Sequence, residues 1–158
     1  MTAGYPSARG AAEGSVEALP TRRAAPLFSG AGRLPDGTPV RVRPLVAGDR
    51  GPLLAGFAAL SPRSRRSRFL RDVSDAQFER MLPVLLDTVD QQSHVALLLY
   101  AGGRPIGVGR LRRFLADPGA ADLAVTVADD WQGRGAGSIL AGELLARAGA
   151  PVHDWPLL

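Results

Sequence analysis

The sequence predicts an α+β domain in which a mixed sheet is flanked by helices. Two observations lead there. Apolar residues recur at three- and four-residue spacing in the windows 53–60, 78–86 and 139–148, as on the inward face of a helix, whereas 39–43, 95–100, 104–115 and 121–127 read as strands. The last of these strands runs straight through a glycine-rich turn into the last helical window.

Residues 1–33 are rich in Ala, Gly, Ser, Pro and Arg and follow neither period, so a flexible N-terminal arm is expected that buries too little surface to offset its ordering entropy. Leu34-Pro-Asp-Gly-Thr38 has tight-turn chemistry, and Pro39-Val-Arg-Val-Arg43 alternates apolar and charged residues like a half-buried strand, so order is expected from residue 34. After Pro44, Val46-Ala-Gly-Asp49 turns the chain into a helix that faces Leu53, Leu54, Phe57, Ala58 and Leu60 inward. Ser61-Pro62 is expected to break that helix, leaving a short basic segment in which Arg63, Arg65, Arg66, Arg68 and Arg71 surround Phe69 and Leu70. Ser74 suits an N-cap for a second helix through Phe78, Met81, Leu82, Leu85 and Leu86, whose middle Pro83 leaves in question. Residues 95–100 suit a buried central strand, Ala101-Gly-Gly103 a hairpin turn, and 104–115 its partner, with Gly107 and Gly109 allowing close packing or a bend. Asp117-Pro-Gly119 makes the next turn, 121–127 the last strand, and from Gly135 a helix carrying Ile139, Leu140, Leu144, Leu145 and Ala148 ends at Gly149-Ala-Pro151.

At 158 residues the chain fits one domain, and 46% hydrophobic against 22% charged residues is apolar enough for a real core. Without cysteine there are no disulfides, thiolate metal sites or thiol nucleophile, and no metal is expected. All 19 basic residues are arginine, which excludes a Schiff-base lysine and the lysine of a phosphate loop. The net charge of +4 is a modest excess, and nucleic acid is not expected as a partner. No apolar run approaches the roughly 20 residues of a membrane span. Residues 1–33 hold no signal-peptide hydrophobic region, so a soluble cytoplasmic protein with no membrane partner is expected.

The chemistry concentrates in Ala121-Asp-Leu-Ala-Val-Thr-Val127, Ala-Asp-Asp-Trp131 and Gln132-Gly-Arg-Gly-Ala-Gly-Ser138. Glycines on alternate positions let a backbone approach a bulky ligand, and the free amides of a helix start favour a phosphate, so an anion cradle is expected. Arg134 either adds charge to that cradle or points to water. A Walker loop is excluded because Gly137, not lysine, precedes Ser138, and a dinucleotide fingerprint is weak because Ser138 stands at its last position. A glycine-rich connection without a ligand is the competing reading.

Gln132-Gly-Arg-Gly-Ala-Gly137 resembles the Q/R-x-x-G-x-G/A signature of the GNAT superfamily of acetyl-CoA-dependent N-acetyltransferases. Asp36-Gly-Thr-Pro-Val-Arg-Val-Arg-Pro44, Ser61-Pro-Arg-Ser64 with Arg68-Phe69, and His94-Val95-Ala96 look like the opening of bacterial protein-lysine acetyltransferase domains, so the resemblance covers roughly residues 34–148. It implies a largely antiparallel sheet, acetyl-CoA as co-substrate, and an amine acceptor, with protein lysine as first choice. By the same resemblance, amides at Gln132, Gly133, Arg134, Gly135, Ala136, Gly137 and Ser138 hold the pyrophosphate, while Val125, Thr126 and Val127 face the pantetheine and thioester. Asp122 occupies the place where similar enzymes often carry glutamate, and burial in a cleft would make it a useful general base.

The family continues beyond this helix with a strand, a helix and a final strand pair, whereas this chain offers only Gly149 to Leu158. A partial domain over 34–150 with a tail at 151–158 is therefore expected, its catalytic competence in doubt. The strand bearing Leu123, Val125 and Val127 would then be an apolar sheet edge open to self-association. A non-catalytic acyl-CoA-binding module, or an Arg-rich interaction module, is the alternative. His94 and His153 have no visible carboxylate or nucleophile partner and are read as structural or solvated. The Arg63 to Arg71 cluster is read as a solvated basic face, and Trp131 as packing beside the loop.

Overall fold

In the computed structural model, residues 30–117 and 119–148 are described. Alternating segments become strands β1 (Gly30–Arg33), β2 (Pro39–Pro44), β3 (His94–Ala101), β4 (Arg104–Arg113) and β5 (Ala121–Val127). Periodic ones become helices α1 (Arg50–Ala58), α3 (Asp75–Asp87) and α4 (Ala136–Ala148), and the basic segment becomes α2 (Pro62–Phe69). The strands form one five-stranded sheet in chain order, and every neighbouring pair is antiparallel. The α+β class holds; the sheet is antiparallel throughout the described residues rather than mixed. The arm up to residue 29, Pro118, and residues 149–158 with His153 lie outside them.

Order starts earlier than residue 34. Gly30–Arg33 pairs with β2, Gly30 opposite Val42 and Arg33 opposite Pro39, so the Leu34 to Thr38 turn closes a hairpin. Asp36 Oδ1 accepts from the Thr38 amide at 2.9 Å, and Gly37 supplies the positive φ (87°).

The strand period sorts the sheet's side chains onto two faces. Val40, Val42, Val95, Leu97, Leu99 and Leu111 pack against Leu140, Leu144 and Leu145 of α4. Across β4 the helix rests almost on bare backbone: an added Cβ would lie 2.9 Å from Leu140 Cδ1 at Gly107 and 2.7 Å from Leu144 Cδ1 at Gly109. On the other face Ala96, Leu98 and Val108 meet Leu45, Leu53 and Leu86. Helices α1 to α3 share a separate cluster, in which Phe57 stacks on Phe78 at 4.2 Å and Phe69 meets both edge-on.

Ser61-Pro62 does not only stop α1; it starts α2. Ser61 Oγ accepts from the Ser64 amide at 3.2 Å, and Pro62 stands in the first turn where its missing N–H costs nothing. Ser74 and Gln77 form a reciprocal capping box at α3. That helix continues through Pro83 because Pro83 is exposed, so water can satisfy the carbonyl it frees, while Phe78 and Leu82 hold the buried face. Beneath the start of α1, Arg43 donates to both carboxylate oxygens of Asp49 (2.7 and 2.8 Å) and to Tyr100 Oη (2.8 Å). Asp49 is only 4% exposed. Burial works to raise its carboxyl, and hydrogen bonds from Arg43 and the Val46 amide overcome that and hold it below the usual range.

Candidate active site

The site grows from the end of β5. Pairing of Ala128 N to Ile106 O (2.8 Å) and Phe114 N to Ala120 O (3.1 Å) fixes which β5 residues exchange hydrogen bonds with β4: Asp122, Ala124 and Thr126 do. The backbone groups of Leu123, Val125 and Val127 therefore point to the open edge, and Val127 O indeed accepts from Gln132 Nε2 at 3.0 Å. Side chains follow the opposite rule from the one a shared role suggests. Val125 and Val127 pack under α4 beside Gly137, whereas Thr126 lines a cavity on the other face.

Past β5, Asp129–Trp131 makes a single 3-10 turn and the chain enters the glycine loop. Gly133 (φ 70°) and Gly135 (φ 89°) adopt left-handed backbone, and a Cβ at Gly135 would stand 2.8 Å from Pro35 Cδ. Gly137 differs, since its Cβ would make ordinary contacts at 3.8 Å. The first two glycines are thus required by the chain's own course, a reason the alternate spacing did not reveal. Among the described residues, no acceptor is recorded for the amides from Gly133 to Ser138, whereas Gln132 N bonds Asp129 O and Ile139 N bonds Gly135 O. A run of free amides at the mouth of α4 fits an anionic diphosphate by both hydrogen bonding and helix dipole.

The loop is held from two sides. Arg134 turns from the amides to the opening hairpin: Nη2 donates to Asp36 Oδ2 (2.7 Å) and Thr38 Oγ1 (3.2 Å), and the partly exposed guanidinium stacks 4.2 Å over half-buried Trp131. Hydrogen bonds from Thr38 and Arg134 hold the Asp36 carboxyl far below the usual range. On the other side, Gln132 Nε2 donates to Ser64 Oγ (3.1 Å), and Asp129 Oδ1 accepts from the Ser61 amide (3.2 Å). The Ser61 to Ser64 segment, seen in the sequence only as supporting resemblance, thus touches the loop directly.

Between the sheet and α1 to α3 lies a cavity of about 80 Å³, lined mostly by apolar side chains such as Leu53, Phe57 and Val108, with Arg68, Arg110 and Thr126 also in its lining. Thr126 Oγ1 is buried and has no hydrogen-bond partner among the described residues. Asp122 stands on the same face of β5, opposite Arg112, but it is exposed, so the burial that was to make it a base is not there. His94 is buried: Nδ1 donates to Thr88 O (3.0 Å) and Nε2 accepts from Arg110 Nε (3.0 Å), which fixes the neutral tautomer. Burial and the Arg110 charge push its pKa below the ordinary value. The basic cluster is dispersed: Arg65 pairs with Asp75 and stacks on Phe57, Arg66 pairs with Asp72, and Arg68 turns into the cavity. Sequence reasoning missed Arg110, Arg68 as a cavity residue, and the support given by Pro35 and Asp36.

These features define a known class. The family model of the acetyltransferase (GNAT) family matches residues 54–151, and the chain belongs to that family. It is 36% identical over 115 residues to a curated acetyltransferase of Pseudomonas aeruginosa, covering 71% of this chain and spanning 61% of that protein. The GNAT domain of S. lividans PAT is similar in structure, with a TM-score of 0.64 and 27% identity over 77% of this chain and 72% of that one. PaiA N-acetyltransferase from Thermoplasma acidophilum, solved in complex with coenzyme A, shares the fold at a TM-score of 0.50 and 16% identity, over 70% of this chain and 72% of that one. Among the described residues, no helix is long and apolar enough to cross a membrane, and no group of acidic, His or Cys residues could hold a metal ion.

Proposed function

We propose that the chain transfers an acetyl group from acetyl-CoA to an amine. The observation that carries this is the run of unpartnered amides from Gly133 to Ser138 at the end of β5, the edge strand of the sheet among the described residues. The diphosphate of coenzyme A sits on those amides, and its pantetheine arm runs along the Leu123 and Val125 backbone groups, pairing as another strand would. The thioester carbonyl then accepts from an edge N–H of β5, which stabilises the oxyanion that develops on attack.

In the transfer, the lone pair of a neutral amine forms the C–N bond and the C–S bond breaks. One proton leaves nitrogen and one reaches the departing thiolate, so acetyl-CoA and an amine give an N-acetyl amine and coenzyme A. Asp122, on the cavity face of β5 and in solvent, serves as base by way of a water. The resemblance to protein-lysine acetyltransferases puts a lysine side chain first among acceptors.

Calorimetric titration with acetyl-CoA, followed by amine acetylation, tests this. Saturable binding with turnover is expected, and Asp122→Asn is expected to lower kcat by about 100-fold, the ordinary worth of a general base. Binding without turnover of any amine would establish the alternative acyl-CoA-binding module, and no binding at all would remove the assignment of the loop.

A further inference from the structure

Arg68 and Arg110 are the unusual residues of the cavity. Both line it, and both are half-buried, yet neither forms an ion pair with a carboxylate among the described residues. Arg68 makes no hydrogen bond; it only leans over the Phe69 ring at 4.9 Å. Arg110 donates to neutral His94, which brings no counter-charge. Asp122 is near enough to favour both charges but bonds neither. Burial, reinforced by the charges of Arg68 and Arg112, pulls Arg110 down to about 10. Beside them stands the buried, unpartnered hydroxyl of Thr126, while the cross-strand neighbour of Arg110 on β5 is small Ala124. Two half-buried guanidiniums that bond no carboxylate, and a free hydroxyl, all lining one apolar cavity, are the donor set that a carboxylate satisfies.

We propose that Arg68, Arg110 and Thr126 form a carboxylate-binding subsite, and that the acceptor amine is a small apolar molecule carrying its own carboxylate, of the α-amino-acid type. This rests on the acetyl-transfer reading above and replaces the lysine side chain that the resemblance puts first among its acceptors. The apolar walls, Leu53, Phe57 and Val108 among them, take an apolar side chain. Once the carboxylate is seated, the α-nitrogen is held two bonds from the carboxylate carbon, near the β5 residue Thr126. A lysine side chain brings an ammonium and no carboxylate to the same place, where the guanidiniums repel it.

The test uses the full chain with acetyl-CoA and the matched pair L-leucine and 3-methylbutylamine, which differ by the carboxylate alone, with a lysine peptide as third acceptor. The expected kcat/KM ratio of L-leucine to 3-methylbutylamine is at least about 100, since charge-assisted bonds to a buried site are lost together. Arg68→Gln and Arg110→Gln each lower that ratio by about 10- to 100-fold, mainly through KM for L-leucine. Arg112→Gln, exposed and outside the cavity lining, keeps the ratio. If Arg110→Gln does not fold, Arg68→Gln carries the test, because Arg68 has no hydrogen bond or ion pair among the described residues. Turnover that favours 3-methylbutylamine or the peptide overturns the subsite and leaves the transferase. A preference for succinyl-CoA over acetyl-CoA that Arg68→Gln abolishes would put the carboxylate on the acyl donor and also overturn the assignment. Calorimetric binding of L-leucine that Arg68→Gln removes, without acetylation of any amine, would keep the subsite and overturn the transferase reading.

Discussion

Within the glycine loop, two alanine substitutions at neighbouring motif positions should act with opposite sign. Gly135 has φ 89°, and its missing Cβ would lie 2.8 Å from Cδ and 3.0 Å from Cγ of Pro35. Left-handed backbone costs an L-residue roughly 1–2 kcal/mol. Pushing a methyl into a rigid pyrrolidine ring adds about 1–3 kcal/mol, because the ring cannot turn aside as a flexible side chain would. Gly135→Ala should therefore lose about 2–5 kcal/mol, or roughly 5–15 °C in Tm for a chain of this size. Gly137 lies inside α4 with ordinary 3.8 Å contacts, so Gly137→Ala should lose nothing and gain up to about 1 kcal/mol from helix propensity. Thermal unfolding followed by circular dichroism reads both. Equal losses at the two positions, or a Gly135→Ala protein as stable as the parent, would refute the claim that Pro35 shapes the loop.

Removing the guanidinium in Arg43→Ala strands the 4%-exposed Asp49 carboxylate without a counter-charge; urea unfolding should show a loss of about 2–4 kcal/mol, reduced from a fully buried pair because Arg43 is partly exposed. The folded pKa of His94 is below its ordinary 6.5, so the unfolded chain takes up the proton first as pH falls. Its stabilising contribution is complete above about pH 6.5 and is lost as pH drops towards the folded value, so Tm should fall more steeply between about pH 7 and 5 in the parent than in His94→Gln.

Strands β3 to β5 and helix α4 were legible because their patterns are strong: a buried apolar run, a glycine hairpin and a helical stripe each admit one packing. The loop was legible from its motif alone, although the reason for its glycines was not. β1 left no trace, since Gly-Ala-Gly-Arg has no period and is a strand only because β2 offers it a backbone partner. Helix α2 was missed for a related reason. Pro-Arg-Ser-Arg-Arg-Ser-Arg-Phe has no apolar stripe, and it is helical through the Ser61 cap and through Arg65 and Arg66 reaching Asp75 and Asp72. The site's finer chemistry depends on partners far apart in sequence. Arg134 meets Asp36 across 98 positions, and Arg68 and Arg110 reach one cavity from a helix and a strand. No window of sequence contains such meetings, and local composition marks only the Arg63 to Arg71 cluster, as a solvated face.

The contact of Pro35 and Asp36 with Gly135 and Arg134 makes the opening hairpin a buttress for a loop that follows far later in the chain. The loop can therefore take its final course only once the hairpin is in place on the sheet. A piece that begins at residue 54, where the family match begins, would lack both this wall and the β2 side chains Val40 and Val42 on which α4 packs.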